Sequence, residues 1–253
     1  MTAAGLPTAT IAEQGSLRTL HLGDTPWVQG AMDMDRPREL VLEYVQRMMA
    51  WMLWRDSAEV ARGHAVQLGL GAASITRFCH QVLHMNRVTA VELNPAVIAA
   101  CRQGFRLAAD NPRLAVLQRD AADWVDDPAN LQTAHVLCVD LYDHEAAAPV
   151  LDSERFYAAC RGTLAHGGLM SVNLFGRAAS FEASAERIAA AFGSDQVWSL
   201  RPTREGNTVV VAARSVAVPG SDILAARAAT IERKVGLPAR KWLRMVRPLR
   251  QPA

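Results

Sequence analysis

Acidic side chains stand at the carboxyl ends of several apolar runs in this chain, and together they could handle a cationic amine. The run Val136-Leu137-Cys138-Val139 ends in Asp140-Leu141-Tyr142-Asp143, which puts two carboxylates and a phenol just past an apolar strand. Paired acids can hold an ammonium and accept its proton, the step that turns it into a nucleophile. Asp140 and Asp143 are therefore the candidate catalytic residues, with Tyr142 between them; a helix-capping Asp with a solvated neighbour is the bland alternative. Upstream, Val66-Gln67-Leu68-Gly69-Leu70-Gly71 runs from a buried strand into a turn. Gly69 and Gly71 let backbone amides and a helix N-terminus approach a polar ligand. Glu92 ends the next strand roughly 20 residues on, the spacing at which a carboxylate can hold a ribose diol. Pro95 opens the following helix and fixes that loop. His80 and His84 are four apart and could share a helix face, but no third ligand stands near them, so no metal site is expected.

These residues need a scaffold, and the hydrophobic pattern supplies one. His64 to Leu68, Arg87 to Glu92, Arg113 to Gln118, Ala134 to Asp140 and Gly168 to Leu174 read as strands. Between or beside them, Ala73 to Leu83, Pro95 to Ala108, Ser153 to Leu164 and Ala178 to Phe192 read as helices. Continuous apolar strands alternating with amphipathic helices indicate a parallel sheet covered on both faces. Val197 to Leu200 and Thr208 to Ala213 are separated only by a short loop holding Glu205-Gly206-Asn207, so they should pair antiparallel. A parallel α/β sheet ending in such a hairpin is the organisation of the Rossmann-like class I S-adenosylmethionine-dependent methyltransferase fold, whereas a dinucleotide-binding dehydrogenase would keep its edge parallel. In that fold the acid ending the third strand, here Asp120 followed by Ala121, meets the adenine. Three successive strand ends then address one adenosine.

The first strands are expected as a small β-hairpin, Thr19 to Leu22 and Trp27 to Met32, turning at Gly23-Asp24-Thr25-Pro26. Glu39 to Trp54 has apolar residues at helical spacing, its Met and Trp side chains reading as core. Ser221 to Val235 reads as a last helix. The expected division is 1–37 for the hairpin element, 38–235 for the nucleoside-binding catalytic domain and 236–253 for a basic, solvated or subunit-contacting tail. Of 253 residues, 50% are hydrophobic and 21% charged, ordinary globular usage without signs of general disorder. A net charge of +2 implies no nucleic-acid partner. The absence of long apolar runs argues against a membrane span, and four scattered cysteines without a C-x-x-C pair fit a cytoplasmic protein.

The chain resembles the spermidine synthase family of aminopropyltransferases from roughly Thr19 to Arg214. The resemblance rests on Val28-Gln29, the glycine turn, Val91-Glu92-Leu93-Asn94-Pro95, Arg119-Asp120-Ala121, Asp140-x-x-Asp143 and Leu164-x-x-Gly167-Gly168. It implies decarboxylated S-adenosylmethionine as donor co-substrate, a small-molecule amine as acceptor and a homodimer. It makes Asp140 the base, Asp143 an amine ligand, Gln29, Gly69, Gly71, Glu92, Asp120 and Ala121 the donor site, and Tyr44 and Tyr142 part of the acceptor site. The N-terminal hairpin and the Met- and Trp-rich helix from Glu39 to Trp54, with more apolar surface than one sheet edge covers, suggest the same homodimer. The chain departs from the family at two places. Ala72 stands where the glycine turn carries an aspartate, and Tyr44-Val45-Gln46-Arg47 lacks the acid of the family's tyrosine motif. These departures leave a methyltransferase using intact S-adenosylmethionine, or a catalytically degenerate nucleoside-binding module, as alternatives.

Overall fold

The apolar strands align as the pattern requires: the central ones are buried on both faces and need helices above and below them, while the edge strand over Leu114–Gln118 is only partly covered. The computed structural model of the chain describes residues 5–142, 151–175 and 178–249. In its central sheet, β4 (His64–Leu68), β5 (Arg87–Glu92), β6 (Leu114–Gln118), β7 (Ala134–Val139) and β8 (Leu164–Phe175) run parallel. β10 (Asn207–Ala213) lies antiparallel beside β8, followed by β9 (Val197–Ser199) and the two-residue β11 (Arg247–Pro248). The order across the sheet is β11-β9-β10-β8-β7-β4-β5-β6. The helices α2 (Ser74–Gln81), α3 (Pro95–Gly104), α4 (Ala121–Val125), α5 (Glu154–Thr163), α6 (Ala178–Phe192) and α7 (Ser221–Val235) cover it in two core layers.

Several elements differ from the sequence expectation. The N-terminal hairpin is two strands of a three-stranded antiparallel sheet, β1 (Ala9–Gln14), β2 (Leu17–Leu22) and β3 (Gly30–Asp33). β1 escapes detection because most of its side chains are exposed and carry no apolar alternation. Trp27 to Gln29 leave the ladder, and the Gln29 N–H donates to the Leu20 carbonyl at 2.8 Å. The expected helix from Glu39 to Trp54 is shorter, α1 (Glu43–Met48), and tightens into a 3₁₀ segment over Met49–Leu53. Met48, Met49, Trp51 and Leu53 are wholly buried against the sheet, α7 and α8 (Ala239–Leu243). The apolar surface of this helix is therefore covered within one chain, whereas Ile11, Trp27 and Val28 of the N-terminal element stay exposed. The basic segment after residue 235 is likewise not merely solvated: Leu237, Ala239 and Trp242 are buried, with Trp242 only 1% exposed. Charge alone obscured one anchoring tryptophan. Among the described residues no helix is long and apolar enough to cross a membrane.

Candidate active site

Parallel strands deliver their last residues to one edge of the sheet, so the turn after β4, Glu92 of β5, Asp120 after β6 and Asp140 after β7 converge. There they line a cavity of about 1060 Å³. Because β10 runs the other way, it contributes its first residue, Asn207, at that same edge, opposite Phe175 of β8. The connection between β2 and β3 lines the cavity with Trp27, Val28 and Gln29, and α1 adds Glu43 and Tyr44. Gln29, Tyr44, Gly69, Gly71, Glu92, Asp120, Ala121, Asp140 and Tyr142 thus share one cavity. Asp143 lies outside the described residues.

The glycine turn is dictated by close backbone approach. Gly69 has φ of +83°, and a Cβ there would lie 2.1 Å from the Asp140 carbonyl oxygen. Gly71, at φ of +51°, would bring a Cβ to 2.8 Å from the Gln29 carbonyl oxygen. Both positions favour glycine for their conformation as well as for space. Gln67, a polar residue inside an apolar strand, secures the turn. Its Nε2 donates to Leu70 O at 3.3 Å, and its Oε1 accepts from Thr76 N at 3.0 Å, capping α2 where Ala73 offers no side-chain cap. Ala72, in the slot of the family aspartate, is 2% exposed and is not among the residues lining the cavity.

Glu92 braces the adjoining loops. One oxygen accepts from Leu70 N at 2.9 Å and the other from Asn94 N at 2.8 Å. Asn94 caps α3 through Ala96 N at 2.9 Å and ties in the N-terminal segment through Pro7 O at 2.7 Å. Burial raises the Glu92 pKa, opposed by the amide hydrogen bonds from Asn94 and Leu70. Each carboxylate oxygen retains a second lone pair. Asp120 caps α4 by accepting from Ala122 N at 2.8 Å, and neighbouring Arg119 pairs with Asp127 at 2.8 Å.

At the reactive corner, burial raises the Asp140 pKa, and hydrogen bonds from Asn173 and Tyr44 oppose the rise. The Asn173 amide donates to Asp140 Oδ1 at 2.9 Å. Tyr44 is itself pushed well above the ordinary phenol range by burial and by the Asp140 charge. The Tyr142 hydroxyl is committed to the end of β8, donating to Asn173 O at 3.0 Å and accepting from Phe175 N at 2.5 Å. Tyr142 therefore offers the cavity its ring; that ring meets Phe175 edge-on, as does Trp27. Arg47 does not face the acceptor side freely. It is 4% exposed, pairs with Glu43 at 2.7 Å and donates to Arg201 O. His84 falls beyond α2 with φ of +51°, so it shares no helix face with His80. Among the described residues no group of three or more His, Cys, Asp or Glu could hold a metal ion.

With this geometry in place, sequence comparison gives the family. A polyamine aminopropyltransferase of Neisseria meningitidis serogroup A is 33% identical over 212 residues, 84% of this chain and 78% of the relative. The chain belongs to the polyamine aminopropyltransferase family. It is a transferase, and a family member of the same name from Chromobacterium violaceum is 32% identical over 92% of this chain and 86% of the relative. No family model matches the chain. Among solved structures, a probable spermidine synthase of Corynebacterium glutamicum superposes with a TM-score of 0.72 at 18% identity, covering 91% of this chain and 85% of its own. Human Methyltransferase-like protein 13 in complex with SAH gives 0.67 at 19% identity, covering 77% and 92%. At these identities the likeness is one of fold, the class I methyltransferase-like fold.

Proposed function

We propose that the chain transfers an aminopropyl group from decarboxylated S-adenosylmethionine to a small amine. The observation that carries this reading is the charge of the cavity. Glu92, Asp120, Asp140 and Glu205 line it, beside a Glu43 that is paired with Arg47 and Lys241, whereas Arg119 is the only lysine or arginine among its described lining residues and is paired with Asp127. Such a site suits a sulfonium donor and an ammonium acceptor, whose mutual repulsion the carboxylates offset. Glu92 would hold the ribose through its remaining lone pairs, Asp120 and Ala121 the adenine, and Gln29 the donor beside Gly69 and Gly71. Asp140 would take one proton from the acceptor as the amine nitrogen forms its bond to the propyl carbon. In that same step the carbon–sulfur bond breaks, its electron pair stays on sulfur, and methylthioadenosine leaves neutral. Alignment, desolvation and proton removal are the tasks left to the protein.

Tyr44 and the rings of Tyr142 and Phe175 form the acceptor side in this reading, and Asp143 completes it as an amine ligand. With Ala72 and Arg47 at slots held by acids elsewhere in the family, amines longer or less basic than putrescine belong in the screen. Residence in the cytosol fits four buried, unpaired cysteines, and light scattering at micromolar concentration tests the homodimer. The decisive assay mixes the protein with decarboxylated S-adenosylmethionine and a panel of amines, and follows methylthioadenosine and aminopropylated product by mass spectrometry. Intact S-adenosylmethionine runs in parallel. Methylated product from the intact donor, or nucleoside binding without turnover, would replace this reading.

A further inference from the structure

The Asp140 carboxylate is not held by Asn173 alone. Asn173 is the lateral neighbour of Asp140 across the β7–β8 pairing, which matches Val139 with Val172. It is 5% exposed, and while its nitrogen donates to Asp140 at 2.9 Å its oxygen accepts from Asn207 Nδ2 at 3.1 Å. Asn207 opens β10 diagonally across from Asn173, since Asn207 pairs with Phe175 and Val209 with Asn173. Asn207 is fixed in turn by Thr203. The Asn207 N–H donates to Thr203 Oγ1 at 3.2 Å, the Thr203 N–H donates to Asn207 O at 2.8 Å, and the Thr203 hydroxyl donates to Asn207 Oδ1 at 3.5 Å. Three donors therefore run head to tail, from Thr203 through Asn207 and Asn173 to Asp140.

We propose that Asn207 is a positioning residue whose amide N–H, anchored by Thr203, sets the rotation of Asn173 so that the nitrogen of Asn173 faces Asp140. This inference rests on the reading of Asp140 as the base. The direction of the chain follows from its chemistry. Turning the Asn173 amide over would set its oxygen against the Asp140 carboxylate and its nitrogen against the Asn207 nitrogen, opposing like groups at both ends. Inside a partly desolvated site such a mismatch is costly, and linked donors reinforce one another. With Asn173 on Asp140 Oδ1 and the Tyr44 hydroxyl donating to the same carboxylate, the remaining lone pairs are those left to meet the acceptor amine. Asn207 thus belongs to the base without touching the reacting atoms. Among the described residues, the titratable groups that feel the Asp140 charge are Tyr44 from α1, Tyr142 after β7 and Cys138 within β7.

The test reads Asp140 directly by ¹³C NMR titration of aspartate carboxyl carbons, with Asp140→Asn identifying its resonance. No substrate is needed. Removing a donor from the charged form raises a carboxyl pKa, so Asn173→Ala should move the Asp140 titration upward by about one unit. Asn207→Ala should move it upward by about half a unit, through Asn173. The double variant should titrate as Asn173→Ala does, because Asn207 acts only through that amide. Asn207→Leu keeps the volume while removing the donor, and should reproduce the Asn207→Ala shift if the smaller side chain loosens the fold. In active enzyme the acidic limb of turnover should move upward by the same amounts, with the Michaelis constant for the donor unchanged. An Asp140 that titrates as in the parent in both Asn207 variants, or shifts that add in the double variant, would overturn the proposal. A parent that transfers no aminopropyl group would instead overturn the reading of function and leave the titration result standing.

Discussion

Replacing Glu92 by Gln probes the nucleoside site with the least change in shape. The carboxylate accepts the Leu70 and Asn94 amide hydrogens at 2.9 and 2.8 Å and has lone pairs left for a ribose diol. In Glu92→Gln the charge is lost and one of the two positions becomes a donor, so one backbone N–H loses its acceptor and one ribose hydroxyl meets a neutral partner. A hydrogen bond to a charged group contributes about 1.5 to 3 kcal/mol, so methylthioadenosine should bind roughly 10- to 150-fold more weakly. The unpaired amide should independently cost about 1 to 3 kcal/mol of stability. Isothermal calorimetry reads the first effect and denaturant unfolding the second. A variant that binds methylthioadenosine as tightly as the parent while remaining folded would refute the assignment. A variant that loses only stability would make Glu92 a brace for the loops and nothing more.

Other consequences follow from single contacts. Gly69→Ala would drive a methyl group into the Asp140 carbonyl at 2.1 Å in a left-handed conformation, and should destabilise the protein by about 3 kcal/mol or more in urea unfolding. His64 donates or accepts at Thr89 Oγ1, 2.9 Å away, and burial lowers its pKa from 6.5 to about 4. Because the folded state then binds fewer protons than the unfolded one, unfolding free energy should fall as pH drops from 6.5 towards about 4, by as much as about 3 kcal/mol, and His64→Gln should flatten that limb. Tyr142→Phe removes the acceptor of the Phe175 N–H and should cost about 1 to 3 kcal/mol of stability. Unchanged stability in that variant would free the hydroxyl for a role at the acceptor.

Strand ends were legible because burial on both faces leaves long apolar runs, and the acid that breaks each run is conspicuous. Glu92 and Asp140 each sit at such a break, and Asp120 follows two residues after the edge strand ends. The partners of those acids were harder to see. Asn173 and Gln67 lie inside strands, where a lone amide in an apolar run was the available signal, and their role depends on what the neighbouring strand presents. Asn207 was read as part of a connecting loop, and only the reversed direction of β10 brings it to the site. Tyr142 and Arg47 illustrate a different limit. Residue type and spacing put a phenol beside the acids and a cation beside the acceptor motif, but rotamer and packing decide that the hydroxyl serves β8 and that the guanidinium turns inward to Glu43. The shortened α1 and the packed Trp242 reflect tertiary contacts that periodicity does not encode.

The most direct test of the account is the Asp140→Asn variant assayed for aminopropyl transfer and for methylthioadenosine binding on the same preparation. Asparagine keeps the shape and the neighbouring Asn173 contact region while removing the group that accepts the amine proton. Turnover should fall by roughly 100-fold or more, as loss of a general base does, while nucleoside affinity stays within about twofold of the parent. Transfer at the parent rate would contradict the assignment of Asp140 as the base.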